Sequence, residues 1–355
     1  MTLNDILEQA TLKGASDIFI IAGLPVTYKV KGVQDRANGD PMKPAGIDPI
    51  IDEIYAAAHR QKTLLDQGLD DDFSFSISNL GRFRVNVFRQ RGTLSAVIRV
   101  IKFGIPDYKQ LGIPESVLSL ADNMNGLVLV AGAAGSGKST TLACMIDRIN
   151  KQRESHIITM EDPIEYLHSH NQSIVSQREV FIDTPGYLES LRSALRESPD
   201  VILLGEMRDF ETISAAITAA ETGVLLFSTL HTSSAANTIN RIVDVFPASQ
   251  QVQIRGQLAQ LLRGVVCQQL VPTTDGTITP VFEVMKSSPA IQNMIREGKL
   301  HQLDSAMQAA KNEGMMTMDT SLLELYQNGV ITRDTLLNTC NNYEFVSKRV
   351  WEDHQ

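Results

Sequence analysis

The sequence predicts an α/β fold in which a domain with a parallel-rich sheet follows a smaller α+β domain. An apolar run at 127–131 breaks into a glycine-rich loop and then a helix, as a buried strand does before a phosphate-binding loop. Residues 73–87 instead alternate apolar and polar side chains around a short turn, which is typical of an antiparallel hairpin. Apolar runs that alternate with helical patterns indicate strand–helix–strand units, and they lie at 127–131, 157–160, 201–204 and 224–229.

Composition excludes several classes of protein. The chain has 355 residues, enough for two or three domains, and 43% of them are hydrophobic. Its 32 basic and 41 acidic residues give a net charge of −9, which disfavours broad nucleic-acid binding. Cys144, Cys267 and Cys340 are far apart, which favours plain thiols in a reducing compartment. No apolar run could span a bilayer and no secretory signal opens the chain, so we expect a cytoplasmic protein that reaches a membrane only through a partner.

The first domain is expected to begin with a helix and to continue as a sheet. Thr2 and Asp5 form a capping box ahead of a helix that ends near Lys13. Strands are predicted at 18–21 and 26–31, a loop at 35–49 and a helix at 50–67.

The hairpin carries the arginines of this domain. Asn79, Leu80 and Gly81 turn the chain, and the period of two places Arg82 and Arg84 on one face of the returning strand. A further strand at 94–101 contains Arg99. The domain is predicted to span 1–103, with a linker at 104–113.

The second domain is predicted to have a core at 114–285 and a helical region at 286–355. A hairpin-like interruption is expected at 175–182, a helix at 187–197 and a last strand at 280–285. The helical patterns that follow lie at 289–297, 303–312, 317–328 and 333–341.

The glycine-rich loop predicts binding of a nucleoside triphosphate with Mg²⁺. The loop matches G-x-x-x-x-G-K-[ST] and consists of Gly132, Ala133, Ala134, Gly135, Ser136, Gly137, Lys138, Ser139 and Thr140. Its backbone N–H groups can converge on phosphate, and the helix that starts there turns its positive end toward the same anion. Lys138 would supply charge to the outer phosphates, and the Ser139 hydroxyl would bind Mg²⁺.

Polar side chains follow the other predicted strands. Glu161, Asp162 and Glu165 follow the second strand, Glu206 follows the third and His231 follows the fourth. The carboxyl ends of parallel strands meet at one edge, where ligands bind. We expect the strand before Glu206 to lie beside the strand of the glycine-rich loop, so that Glu206 can activate water.

These segments resemble a known family. LRESPDVILLGEMRD at 195–209 is similar to the signature of the type II/type IV secretion ATPase superfamily, EDPIE at 161–165 to its Asp box and 223–232 to its His box. Within it the chain resembles the type IV pilus retraction ATPases, the PilT group. The similar segments run nearly end to end and include GASDIFI, GRFRVNVF, GAAGSGKSTT, SQREV, TAAETG, STLHT, RIVDVFP, PAIQNMIREGKL and GMMTMD.

The resemblance implies a homohexameric ring whose subunits have a PAS-like N-terminal domain and a RecA-like ATPase domain. It implies that ATP, with Mg²⁺ on Ser139 and Glu206, is hydrolysed to depolymerise pilin during twitching motility. Arginines of the N-terminal domain would reach the nucleotide as the domains close; Arg82 and Arg84 lie in the matching segment and Arg99 lies near it. The partners implied are an inner-membrane pilus platform protein, on the cytoplasmic face of the membrane, and a paralogous retraction ATPase.

The resemblance also suggests how the site residues divide their roles. Glu206 would polarise the attacking water, Glu161 would position water or metal, and Asp162 and Glu165 would support the site. How Glu161 and Glu206 share the role of base is left open. His231 would contact the γ-phosphate region of the nucleotide.

Four departures from the family pattern and three alternatives remain. The first His-box histidine falls at Val224, and other usual residues fall at Phe19, Ser198 and Gln292. Val224 motivates an accessory retraction subunit with weak hydrolysis, and Phe19 with QQLVP at 268–272 resembles the accessory retraction ATPases, the PilU group. A pilus assembly or type II secretion ATPase is disfavoured by the absence of any C-x-x-C pair, and a DNA translocase by the net charge.

Overall fold

The computed structural model describes residues 1–78, 80–101 and 104–352. The chain divides into two compact units. The first comprises Met1–Gly104 together with Glu165–Leu167, and the second comprises Ile105–Ile164 and the chain from His168 onward. No helix among the described residues is long and apolar enough to cross a membrane.

The first unit is a six-stranded antiparallel sheet covered by helices. Its elements are α1 (Leu3–Lys13), β1 (Asp17–Ile20), β2 (Thr27–Val30), β3 (Val33–Arg36), α2 (Pro44–Ala57), α3 (Thr63–Asp66), β4 (Asp71–Ile77), β5 (Gly81–Gln90) and β6 (Thr93–Ile101). The strand order is β3-β2-β1-β6-β5-β4, and every pairing is antiparallel. Thr2 and Asp5 form the predicted capping box at the start of α1. The apolar faces of α1, α2 and the sheet share one core.

The loop predicted at 35–49 is wrong at both ends. Its start belongs to β3, which is mostly exposed at the sheet edge and so lacks the alternation that marks a half-buried strand. Its end belongs to α2, which begins at Pro44, because proline needs no N–H partner in the first turn of a helix. The single helix predicted at 50–67 is two, α2 and α3. Asn79 of the predicted turn lies outside the described residues.

The second unit is built on a seven-stranded sheet. Its elements up to the last strand are α4 (Glu115–Leu118), β7 (Gly126–Ala131), α5 (Lys138–Gln152), β8 (His156–Glu161), β9 (Ile174–Glu179), α6 (Tyr187–Ala194), β10 (Val201–Leu204), α7 (Phe210–Glu221), β11 (Leu225–Leu230), α8 (Ala235–Asp244), α9 (Ala248–Leu261), β12 (Leu262–Pro272) and β13 (Ile278–Lys286). The helices that follow are α10 (Pro289–Glu297), α11 (Leu303–Ala309), α12 (Met318–Gln327), α13 (Arg333–Thr339) and α14 (Tyr343–Glu352).

The strand order of this sheet is β13-β12-β7-β11-β10-β8-β9. All neighbours are parallel except the β12–β13 hairpin. Helices on both faces enclose two apolar clusters; β7, β10 and β11 are entirely buried, and β8 and β12 are mostly buried. The predicted α/β class with a parallel-rich sheet is therefore confirmed.

Two expectations about this sheet are wrong, and two elements of the unit were not predicted. The hairpin expected at 175–182 is the single strand β9, which pairs in parallel with β8, because a short polar alternation does not reveal the direction of its partner. The strand before Glu206 does not lie beside β7, since β11 runs between them. The long strand β12 and helix α14 were not anticipated, because β12 follows α9 without an intervening turn signal.

Candidate nucleotide-binding and hydrolysis site

The glycine-rich loop joins β7 to α5. Gly137 precedes α5 with φ 89°, and Gly132 has φ 149°, angles that L side chains rarely adopt. Lys138, the first residue of α5, is buried, and its Nζ donates to the carbonyls of Gly132 at 2.9 Å and Ala133 at 2.8 Å. The Lys138 ammonium group, which the sequence predicts to bind phosphate, therefore binds carbonyls of its own loop in this structure.

Gln268 on β12 supports the loop from beneath. A Cβ on Gly132 would lie 2.3 Å from the Gln268 carbonyl oxygen, and one on Gly137 would lie 2.8 Å from Gln268 Nε2. The Thr141 hydroxyl donates to Gln268 Oε1 at 2.7 Å. Gly132 is therefore required by space as well as by backbone angle, whereas at Gly137 the backbone angle favours glycine and a side chain would displace the Gln268 amide. Sequence reasoning missed Gln268, and its only signal was its place in the QQLVP segment.

Two cavities adjoin the loop, and Gln268 and Leu270 line both. One measures about 650 Å³ and has a polar far wall that follows β11. Its lining consists of Gly132, Ala133, Ala134, Gly135, Ser136, His231, Thr232, Ser233, Asn237, Gln268, Gln269 and Leu270. The other measures about 430 Å³ and lies between the start of α5, residues 109–113 and residues 278–280 of β13. The first has the size and polar lining that a triphosphate requires.

Glu161 ends β8 and is held by its neighbours. Its Oε1 accepts from the Thr159 hydroxyl at 2.7 Å and from Gln177 Nε2 at 3.2 Å. Asp162, the next residue, is exposed. Two predicted carboxylates therefore lie at the carboxyl end of β8, one oriented and one solvated.

Glu206 lies at the carboxyl end of β10, two strands from β7. The Gly205 N–H donates to the Met160 carbonyl at 2.8 Å, and the Thr229 hydroxyl donates to the Gly205 carbonyl at 2.6 Å, so both flanking strands fix the backbone before Glu206. Its side chain is only 15% exposed and contacts His231 Nε2 at 3.1 Å. The structure thus brings Glu206 and His231 together, as the strand-end argument expected.

Arg208 also binds Glu206, and sequence reasoning assigned it no role. Its Nη2 lies 2.7 Å from Glu206 Oε2. Burial acts to raise the pKa of Glu206, but Arg208, with His231 and Lys138, outweighs it, and the pKa is lowered. Glu206 is therefore ionised at neutral pH.

Tyr187 at the start of α6 is a second residue that was missed. A Cβ on Gly205 would lie 2.8 Å from its hydroxyl, so Gly205 leaves room for the phenol. Burial and then the carboxylates of Asp162, Glu206 and Glu161 raise the pKa of Tyr187, so it remains a hydrogen-bond donor at neutral pH. Nothing in the sequence pattern signalled it, because the contact is made across the sheet edge.

The predicted arginines belong to the first unit. Arg84 binds Asp72 on β4 through two bonds of 2.9 and 2.7 Å, and Arg99 Nε lies 3.1 Å from Asp17 on β1. Arg82 Nη1 lies 3.5 Å from the Ser76 hydroxyl.

The β5–β6 register places Arg84 directly opposite Arg99. Arg82 and Arg84 are both half-buried at alternate positions of β5, as the period of two predicted. Glu165 is likewise part of the first unit.

Comparisons with known proteins agree with this arrangement. Residues 1–338 match the family model described as "Type II/IV secretion system protein". The chain belongs to this family. It is 44% identical over 334 residues to the "Type IV pilus retractation ATPase PilT" of Pseudomonas aeruginosa, an alignment that covers 94% of this chain and 96% of that protein.

Two further relatives place the chain within the family. The "Type IV pilus ATPase PilU" of P. aeruginosa is 39% identical over 338 residues, covering 95% of this chain and 88% of that protein. A crystal structure of "the Pilus Retraction Motor PilT and Bound ADP" superposes with a TM-score of 0.89 at 42% identity, covering 98% of this chain and 99% of that one. The predicted membership of the PilT group, the ATPase class and nucleotide binding are confirmed.

The resemblance assigned the family's first His-box histidine to Val224, and the structure shows where that residue lies. It precedes β11, its carbonyl accepts from the Gly126 N–H at 3.0 Å, and its side chain is buried in the core. The glycine-rich loop follows the other end of β7, roughly 20 Å along the sheet at the usual strand rise. Within one subunit a side chain at 224 is therefore far from the loop, and Val224 removes no contact to the phosphates there.

Proposed function

We propose that this chain is a ring-forming motor that hydrolyses ATP to power retraction of type IV pili. One observation carries the proposal: Glu206 lies at a strand end and contacts His231, which lines the cavity beside the glycine-rich loop. A phosphate-binding loop with a carboxylate placed to polarise water is the minimum that triphosphate hydrolysis requires. The PilT and PilU relatives support the retraction part.

The nucleotide would bind along the start of α5. Its phosphates would enter the 650 Å³ cavity, where Lys138 exchanges the carbonyls of Gly132 and Ala133 for phosphate oxygens. The loop N–H groups and the first turn of α5 add further positive potential. We place the nucleoside in the 430 Å³ cavity, beyond Thr140.

Ser139 and Glu206 would hold Mg²⁺. The Ser139 hydroxyl lies in the first turn of α5, and the lowered pKa of Glu206 keeps its carboxylate ionised. Mg²⁺ commonly takes one or two carboxylates together with phosphate oxygens, and these residues fit that set. When bound, the ion neutralises phosphate charge as it develops.

The predicted residues would have different roles in hydrolysis. Water forms a bond to the γ-phosphorus as the bond to the leaving ADP oxygen breaks, and Glu206 accepts the water's proton. Glu161, oriented by Thr159 and Gln177, helps to position that water, and Asp162 and Glu165 support it. His231 senses the γ-phosphate region.

Arginines of the first unit complete the proposed site. Arg82, Arg84 and Arg99 would approach the phosphates in the assembled ring and neutralise developing charge. Each is bound by at least an Asp or a Ser of the same unit, a kind of contact that a phosphate can replace.

The proposal also covers the oligomeric state of the protein, its partners and its location in the cell. We propose a homohexamer on the cytoplasmic face of the membrane that binds an inner-membrane pilus platform protein and works beside a paralogous retraction ATPase. The domains would be PAS-like at 1–103, a linker at 104–113, a RecA-like core at 114–285 and a helical region at 286–355.

ATP hydrolysis measured against protein concentration, with light scattering in parallel, tests the ring. We expect turnover to rise cooperatively as hexamers form. Full turnover by the monomer would contradict a shared site. Hexamers without turnover would favour the accessory subunit. The buried place of Val224 weakens the original reason for that alternative.

A further inference from the structure

Glu283 on β13 is a buried carboxylate that joins two helices. Its side chain is 2% exposed. Glu283 Oε1 accepts from the Ala235 N–H at 2.6 Å, and Oε2 accepts from the Met318 N–H at 3.3 Å. Ala235 begins α8 and Met318 begins α12, so each oxygen meets the positive end of a helix.

The two helices serve different parts of the second unit. The residues before and at the start of α8 form a wall of the 650 Å³ cavity, which includes His231, Thr232 and Asn237. Helix α12 belongs to the helical region after β13. Next to Glu283, Val284 exchanges two backbone hydrogen bonds of 2.7 and 2.9 Å with Met316, which ties the approach to α12 to the same strand.

Side chains make a second connection between Glu283 and the cavity. Glu283 is paired with Cys267 in the β12–β13 register. The Cys267 sulfur lies 4.0 Å from the Thr238 hydroxyl, which lies 2.7 Å from the Thr232 hydroxyl in the cavity wall. A polar chain therefore runs from Glu283 to the nucleotide cavity through residues buried on α8 and β12.

We propose that Glu283 is a positioning residue for ATP hydrolysis: it holds the cavity wall before α8 in a fixed position relative to α12. Since the helices after β13 can then shift only together with that wall, the occupancy of the cavity is coupled to them. This inference rests on the proposed function and adds a route by which the nucleotide site and the C-terminal helices influence one another.

The charge state of Glu283 should regulate this coupling near neutrality. Burial raises its pKa to about 7; the N–H groups of Ala235 and Met318 oppose the rise, and Asp304 on α11 and Asp319 on α12 add to it. Burial also raises the pKa of Cys267, which stays a thiol. When Glu283 is ionised, both of its oxygens accept hydrogen bonds, one from the first N–H of each helix. When it is protonated, one oxygen becomes a donor, and the hydrogen bond to one of the two helices is weakened.

Glu283→Gln tests the inference, because an amide can present its oxygen to only one helix. We expect kcat to fall about tenfold, since one hydrogen bond is lost and the other is no longer charge-assisted, with the KM for ATP changed little. The wild type should lose turnover as pH falls through 7, and the variant should lack that step. ADP should change hydrogen exchange at the start of α12 in the wild type and not in the variant.

Glu324→Gln is the matched control, because Glu324 lies on α12 with a partly exposed side chain paired to Lys311. It should keep both the wild-type rate and the pH step. Thr238→Val breaks the side-chain connection through Cys267 and Thr232, so it should lower kcat but retain the pH step. If Glu283→Gln does not fold, this variant tests the inference in its place. Wild-type kcat and pH profile in Glu283→Gln, or wild-type kcat in Thr238→Val, would overturn the inference.

The inference can fail separately from the proposed function. If the wild-type chain does not hydrolyse ATP, the proposed function fails, and hydrogen exchange with ADP still reads the coupling. If the wild type hydrolyses ATP but α12 does not respond to ADP, only the inference fails.

Discussion

The two sheets hold their functional charges in different ways. In the first unit, Arg84 and Arg99 stand opposite one another on central strands and bind Asp72 and Asp17 on the strands outside them. The side chains of Arg84 and Asp72 are 38% and 45% exposed. In the second unit, Glu206 lies beyond its strand, is 15% exposed and binds cations from two loops.

The two units therefore differ in how easily a phosphate can replace the partner of a charged group, and in how strongly neighbouring charges set its pKa. Exposed ion pairs contribute about 0–1 kcal/mol, so a phosphate can displace Asp72 from Arg84 at little cost. Asp17 is itself sheltered, at 11% exposed, so displacing it from Arg99 should cost more. A sheltered carboxylate feels its neighbours more strongly, so Arg208 and His231 affect its proton affinity. The antiparallel sheet therefore offers cations, whereas the parallel sheet holds a base whose strength is set locally.

Removing the base should have the largest effect. Glu206→Gln preserves the shape but cannot accept a proton, so we expect kcat to fall about 10³-fold while ADP binding is retained. Single-turnover hydrolysis and fluorescent ADP titration measure the two quantities.

Glu221→Gln is the control, since Glu221 is exposed at the end of α7 and accepts from Gln257. It should hydrolyse ATP at the wild-type rate. If Glu206→Gln also did so, the base would have to be Glu161.

Removing an exchangeable cation should have a smaller effect. We expect Arg84→Ala to lower kcat about 10²-fold, the usual loss for one donor to transition-state charge, and to weaken ATP binding much less. Arg89→Ala is matched to it, because Arg89 is exposed on β5 with opposite parity. Equal losses in kcat and ATP affinity for Arg84→Ala would instead indicate a ground-state contact.

The sequence predicted the parts that local pattern determines. The period of two placed Arg82 and Arg84 on one face, and the glycine-lysine-serine spacing located the phosphate loop after a buried strand. Both follow from residues close together in the chain. The carboxyl ends of parallel strands lie at one edge of a sheet, and this rule correctly predicted that Glu206 and His231 lie close together.

The parts it missed depend on contacts distant in sequence. Gln268 meets Gly132 and Thr141 across strands, and Glu283 meets Ala235 and Met318 from two helices. Strand order was equally hidden, because no local pattern says that β11 separates β7 from β10.

The subtlest effect concerns the strength of the base. Arg208→Gln removes the charge that does most to lower the pKa of Glu206, so that pKa should rise and the acid limb of the kcat profile should move to higher pH. Because the Arg208 side chain is 71% exposed, we expect kcat at neutral pH to change by less than about threefold. The lowered pKa means that ionised Glu206 stabilises the fold above its ordinary pKa, and that this contribution is lost as pH falls. Arg208→Gln should therefore also reduce the pH dependence of thermal unfolding on the acid side.

The control is Arg296→Gln, because Arg296 is exposed on α10; it should leave both profiles unchanged. An unmoved acid limb in Arg208→Gln would mean that Arg208 already leaves Glu206 when ATP binds, and that the base in the working site has a different partner.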